Sequence, residues 1–128
     1  SNYILSAGPL SRWFAIYINR NKNIEISFNN SRVNLTATGA IAELQQWHSV
    51  AVAFNLEAKT LRVALDGELL TVPAFAPDFA LGSTMYNGDM QFTFTNYSNG
   101  DTFEGLARNV AVYNTALPED QLVAISKM

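Results

Sequence analysis

The chain has 128 residues, of which 48% are hydrophobic and 15% are charged, and its formal net charge is −3. Its basic residues are scattered, which argues against a nucleic-acid partner, because binding to phosphates needs clustered Lys and Arg. Since the chain contains no cysteine, disulfides, thiolate metal sites and a cysteine nucleophile are excluded. No apolar run approaches the roughly 18 residues of a membrane-spanning helix, so we expect no membrane insertion. The length predicts a single domain over residues 1–128.

Apolar and polar residues alternate through the first half of the chain, which predicts a series of short β-strands. Residues 3–7 and 13–18 are predicted strands, and the second is apolar on both faces, as in the interior of a sandwich. Residues 24–28 and 33–37 carry apolar side chains at every second position and flank a polar turn. This pattern predicts a β-hairpin.

The middle of the chain continues the pattern with two longer strands. Residues 47–54 and 61–65 are predicted to be neighbours, and the second run ends at Asp66-Gly67. Asp-Gly is a strong signal for a two-residue hairpin turn, because Gly tolerates a positive φ. We therefore interpret Asp66 as a turn residue first and as a metal ligand second.

The last third of the chain predicts strands at residues 68–72, 91–95 and 103–113. Pro118 is suited to the start of a helix. Glu119 and Asp120 would lie in the first turn, where acidic side chains interact favourably with the helix dipole. Many short strands with no long helix predict an all-β sandwich or barrel.

Two segments resemble laminin-G-like domains of the concanavalin A-like kind. In that family one strand commonly reads Trp-His-x-Val-Ala-Val-x-Phe and the next ends in Asp-Gly, and residues 47–54 and 61–67 are similar to both. The family's closing strand is similar to Phe-x-Gly-x-Ile-Asp-Glu-Val-x-Ile-Tyr-Asn-x-Ala-Leu. The matching residues here are Phe103, Gly105, Val110, Val112, Tyr113, Asn114, Ala116 and Leu117. The resemblance implies an antiparallel jelly-roll β-sandwich with a short C-terminal helix.

The chain departs from the family pattern in two places. Arg108-Asn109 replaces the usual Asp-Glu of the closing strand. The family also has an opening strand or two before the equivalent of residues 3–7, and we expect this sequence to begin after them. We expect a sheet that lacks its first strand to leave an unpaired edge, which another chain or an upstream segment can complete. The alternative is a trimmed piece or a naturally short variant.

For function, the resemblance implies a non-catalytic extracellular or cell-surface module for recognition or adhesion. Aromatic rings beside amides and carboxylates suit glycan or protein ligands. The candidate ligand-binding residues are Tyr86, Asn87, Asp89, Tyr97 and Asn99. Trp13 lies in a strand that is apolar on both faces, so we interpret it as a core residue. The alternative function is a structural subunit of an extracellular assembly, as a homo-oligomer or through strand donation.

A calcium ion is a candidate ligand of the polar loop at residues 96–101. Calcium takes six to eight oxygen ligands, and the candidate ligands are Asp89, Asn96, Asn99 and Asp101. The loop itself contains a single acidic residue, which predicts weak affinity, and a plain polar loop is the alternative. No cofactor is required for the predicted function. Sequons begin at Asn29, Asn34 and Asn96 and would matter in a eukaryotic secretory pathway.

The sequence does not predict an enzyme. His48 is the only histidine, and it lies in a predicted strand at a position that matches the family core. Glycoside hydrolysis needs two carboxylates across the scissile bond, and Glu25, Glu57, Glu68 and Glu104 are isolated from one another. We therefore assign no catalytic residue.

Overall fold

The computed structural model describes residues 2–7, 14–28, 33–41, 45–55, 57–75, 92–93 and 106–127. These residues form short β-strands and one short helix. The elements are β1 (Asn2–Ala7), β2 (Phe14–Ile18), β3 (Asn23–Phe28), β4 (Val33–Ala40), β5 (Val50–Asn55), β6 (Thr60–Leu65), β7 (Glu68–Leu69), β8 (Phe92–Thr93) and α1 (Glu119–Ile125).

The strands form two antiparallel sheets. One sheet has five strands in the order β4-β3-β2-β1-β8, and the other has three in the order β5-β6-β7. A bridge between Thr38 and Thr71 joins β4 to the segment after β7, and the Thr38 amide lies 2.7 Å from the Thr71 carbonyl oxygen. The predicted concanavalin A-like sandwich is confirmed, as is the predicted β3–β4 hairpin.

The core lies between the two sheets. Ile24, Ile26 and Phe28 of β3 are fully buried and belong to one cluster with Val63 and Leu65 of β6. Period-two alternation produces this arrangement, because every second side chain of a strand points to the same face. The ring of Phe28 lies at the centre of an aromatic group formed with Phe14, Phe54 and Phe75, at centroid distances of 5.7, 5.3 and 5.7 Å.

Helix α1 covers the outer face of the three-stranded sheet. Leu122 is buried against Ala51 and Ala53 of β5 and Ala64 of β6. The small alanine side chains allow the helix to approach the sheet closely. The predicted helix is confirmed, with Pro118 before its first turn and Glu119 and Asp120 within it.

Two predicted strand boundaries need correction. β5 begins at Val50 and not at Trp47. The Ser49 N–H donates to the Asp66 carboxylate and not to a strand partner, and the His48 ring contacts the same carboxylate. The predicted closing strand is wrong for residues 106–113, which are exposed and form neither strand nor helix. A strand needs a partner for its backbone groups, and Asn109 has a φ of 56° that turns the chain within the segment. Residues 103–105 lie outside the described part of the chain.

Candidate functional site

The ligand-binding residues predicted from sequence lie outside the described residues. This applies to Tyr86, Asn87, Asp89, Tyr97 and Asn99, and equally to the predicted calcium ligands Asp89, Asn96, Asn99 and Asp101. Both sets stay predictions. Within the described ranges, no group of three or more His, Asp or Glu side chains could hold a metal ion.

Asp66 joins two strands at one corner of the three-stranded sheet. Its Oδ2 atom lies 2.6 Å from Nδ1 of His48, and its Oδ1 atom accepts a hydrogen bond of 2.8 Å from the backbone N–H of Ser49. The Asp66 N–H in turn donates to the Ser49 carbonyl oxygen at 2.9 Å. Both carboxylate oxygens therefore have partners within the protein. This favours a structural role for Asp66 and His48 over a role in binding a metal or in catalysis.

The environment of Asp66 stabilises its ionised form. Partial burial by itself raises the pKa of this carboxyl, but the hydrogen bond from His48, the hydrogen bond from Ser49 and the charge of His48 together lower the pKa below its ordinary value. The carboxylate is therefore charged at neutral pH and can hold both partners.

The Asp66-Gly67 turn also contacts the end of α1. Both turn residues have positive φ, 51° for Asp66 and 88° for Gly67, as the tight hairpin between β6 and β7 requires. The Gly67 N–H donates to Oγ of Ser126 at 2.9 Å, and that hydroxyl donates to the Val123 carbonyl at 2.8 Å. Through Ser126 the hairpin turn fixes the position of the helix on the sheet.

An open cleft of about 290 Å³ lies beside the start of β6. We call it the β6 cleft. It is bounded by the first half of β6, by the chain that follows the Thr71 bridge, and by the first residue of α1. Its lining residues are Lys59, Thr60, Leu61, Arg62, Val72, Pro73, Ala74, Phe75 and Glu119.

Charged and apolar groups lie side by side in the β6 cleft. Arg62 donates from Nε to Oε1 of Glu119 at 3.2 Å, and both side chains remain partly exposed to solvent. A guanidinium, a carboxylate and a hydroxyl beside aliphatic and aromatic carbon suit a ligand that has both hydroxyl groups and C–H faces. Among the described residues that line the cleft, Glu119 is the only carboxylate.

The β6 cleft could not be found from the sequence alone, because its residues are far apart in the chain. Arg62 and Glu119 are separated by 57 positions, and Glu119 was interpreted only as an acidic residue in the first turn of the helix. The available signal was Arg62 between Leu61 and Val63, since alternation directs it to the face opposite the core.

Arg108, one of the two departures from the family pattern, stacks on an aromatic ring. Its guanidinium carbon lies 4.1 Å from the centroid of the Trp47 ring, within the range of a cation–π interaction. Trp47 remains 52% exposed, so the pair forms part of the surface.

None of the described helices is long and apolar enough to cross a membrane. Residues 1–123 match the laminin-G family model described as the concanavalin A-like lectin/glucanases superfamily. No curated protein and no solved structure matches the chain significantly.

Proposed function

Because the chain belongs to the concanavalin A-like lectin/glucanase superfamily, we propose that it is a non-catalytic extracellular recognition or adhesion module that binds glycans in the β6 cleft. Family membership supports a lectin-like or adhesion-type module in general terms. The specific ligand class and the location of its site are our proposal.

The observation that carries the proposal is the composition of the β6 cleft. Arg62 and Glu119 offer a donor and an acceptor at the edge of the cleft, while Val72 and Pro73 contribute apolar surface. A sugar ring presents hydroxyl groups at its edge and C–H groups on its faces, so it can satisfy both kinds of surface at once.

The same cleft supports a non-catalytic role. Retaining and inverting glycosidases place two carboxyl groups on either side of the scissile bond. Glu119 has no second carboxylate among the described lining residues, and its side chain is paired with Arg62. An Arg–carboxylate pair is suited to orienting hydroxyl groups and not to protonating a leaving group.

A glycan array tests the proposal, followed by titration of the best-binding glycan. We expect Arg62→Ala to weaken binding about tenfold, which corresponds to about 1.4 kcal/mol, because a hydrogen bond to a charged group is lost. Arg20→Ala is the matched control, since Arg20 is an exposed arginine outside the β6 cleft and removes the same charge.

Three outcomes separate the possibilities. Weakening by Arg62→Ala alone supports glycan binding in the β6 cleft. Loss of binding in Tyr97→Ala with full binding in Arg62→Ala would overturn the location in the β6 cleft. It would favour the ligand-binding residues predicted from sequence, to which Tyr97 belongs. A folded protein that binds no glycan on the array would contradict the glycan proposal itself.

A further inference from the structure

The lining of the β6 cleft carries more positive than negative charge. Three ionised side chains line it, of which Lys59 and Arg62 are positive and Glu119 is negative. Two positive charges and one negative charge give the lining a net charge of +1. Because the whole chain has a net charge of −3, the residues outside the cleft together carry −4. The cleft is thus a small positive site on an acidic protein.

The ion pair with Glu119 uses one hydrogen-bond donor of Arg62. Nε of Arg62 donates to Oε1 of Glu119 at 3.2 Å, and the Arg62 side chain is 35% exposed, so a solute can reach it. A guanidinium has five N–H donors in a planar fork, and this fork matches the two oxygens of a carboxylate. Arg62 is therefore suited to bind an anionic group while Glu119 holds it at the cleft.

The turn between β5 and β6 brings the second positive charge to the cleft. Within this turn the Ala58 N–H donates to Oδ1 of Asn55 at 3.0 Å. Lys59 then adopts a φ of 57°, and β6 begins at the next residue, Thr60. The backbone of Lys59 is thereby fixed close to the start of β6, and its side chain lines the same cleft as Arg62.

We propose that the β6 cleft binds an acidic sugar, that is, a glycan with a uronic-acid residue whose carboxylate lies beside Lys59 and Arg62. This inference rests on the proposed function, glycan binding in the β6 cleft, and adds the charge of the ligand. A neutral sugar would displace water from the excess positive charge without compensating it, whereas a carboxylate compensates it. Val72 and Pro73 contribute apolar surface for the C–H face of the same sugar ring.

The small excess of charge favours a single carboxylate over a densely sulfated chain. One uronate balances the net charge of +1 in the cleft. A long polyanion would extend beyond the cleft, where the remaining residues carry −4 and repel it. We therefore expect the ligand to be an oligosaccharide with isolated uronates.

Matched disaccharides test the inference. The probes each contain one glucuronate, galacturonate or mannuronate, and each is paired with its carboxyl-reduced counterpart, in which CH₂OH replaces COO⁻. Heparin oligosaccharides represent sulfated glycans. We expect at least one uronate to bind about fivefold more tightly than its reduced counterpart at low salt. This preference should shrink as the NaCl concentration is raised, because salt screens the charges.

Lys59→Asn removes one positive charge from the cleft and keeps the turn, since Asn tolerates a positive φ. We expect the affinity for the uronate to fall about threefold and the affinity for the reduced disaccharide to stay the same. Lys22→Asn is the matched control, because Lys22 is also exposed, has a φ of 65° and lies outside the cleft in the turn between β2 and β3. Circular dichroism establishes that both variants are folded.

The outcomes separate this inference from the proposed function. Reduced disaccharides that bind as tightly as the uronates would overturn the acidic-sugar inference and leave glycan binding in the cleft intact. Tighter binding of heparin than of every uronate would overturn the carboxylate as the anionic group. Equal weakening by Lys22→Asn and Lys59→Asn would overturn the location of the carboxylate. A folded protein that binds no glycan of any kind would overturn the proposed function together with this inference.

Discussion

Asp66 Oδ2 lies 2.6 Å from His48 Nδ1, and this contact joins the turn between β6 and β7 to the residues that precede β5. The contact lies at the same corner as the Gly67–Ser126 hydrogen bond, so two strands and the end of α1 meet there. The Trp-His and Asp-Gly motifs that resemble the family pattern are thus joined through a structural interaction in this protein.

Replacing the Asp66 carboxylate should destabilise the protein. In Asp66→Asn the residue still tolerates a positive φ, but it loses the charged contacts to His48 and Ser49. Because the site is nearly half exposed, we expect the free energy of unfolding at neutral pH to fall by only about 1 kcal/mol. Urea unfolding measures the change, and Glu57→Gln provides a control that removes one exposed carboxylate without such contacts.

The effect of Asp66→Asn should depend on pH in a defined direction. The pKa of Asp66 is lower in the folded protein than its ordinary value. The ionised carboxylate therefore contributes its full stabilisation at pH values above the ordinary pKa. This stabilisation is lost as the pH falls through the pKa that Asp66 has in the folded protein. We therefore expect the stabilities of wild type and Asp66→Asn to converge in strong acid. A stability difference that is constant from neutral to strongly acidic pH would rule out this role for the carboxylate.

Position 67 requires glycine both because of its backbone conformation and because a neighbouring side chain lies close to it. Its φ is 88°, and a Cβ atom at this position would lie 2.7 Å from Cγ of Lys127. We expect Gly67→Ala to destabilise the protein by about 1–2 kcal/mol, from backbone strain together with displacement of the lysine.

Thermal unfolding of Gly67→Ala in the wild-type and Lys127→Ala backgrounds separates the two contributions. The loss should be smaller in the Lys127→Ala background, where the alanine has room, and the remainder reflects backbone strain. An unchanged melting temperature in Gly67→Ala would mean that neither constraint acts in solution.

Leu122 is the main contact between α1 and the sheet. It is 1% exposed and packs on Ala51, Ala53 and Ala64. We expect Leu122→Ala to reduce the free energy of unfolding by about 3 kcal/mol, because buried contacts are lost and a cavity is left. Gln121→Ala is the control at an exposed position of the same helix. If the two variants unfold at the same urea concentration, α1 does not contribute to the cooperative unit.

Calcium binding stays a prediction from sequence. If Asp89 and Asp101 hold an ion, adding calcium should raise the melting temperature, since a ligand that binds only the folded state stabilises it. Asp101→Asn should abolish the shift, while Asp120→Asn should keep it because Asp120 lies in the first turn of α1. A melting temperature that is indifferent to calcium and to chelator would contradict the prediction.

The sequence predicted the elements in which local signals and packing agree. Residues 24–28 alternate cleanly and form β3, and Asp66-Gly67 combines a turn signal with the positive φ values that the turn requires. Residues 106–113 carry equally strong strand signals, yet they form no strand, because a strand depends on a partner that local patterning does not specify. The β6 cleft was unpredictable for a similar reason, since the packing of α1 brings Arg62 and Glu119 together.

Mapping a bound glycan by NMR shows whether the β6 cleft is the binding site. The backbone amide signals of a labelled protein would be followed while the best-binding glycan is added. Binding in the β6 cleft predicts saturable shifts of Thr60, Arg62, Ala74 and Glu119, with little change at the Arg20 turn on the other sheet. Saturable shifts that leave these four amides unchanged would exclude the β6 cleft and place the site elsewhere on the sandwich.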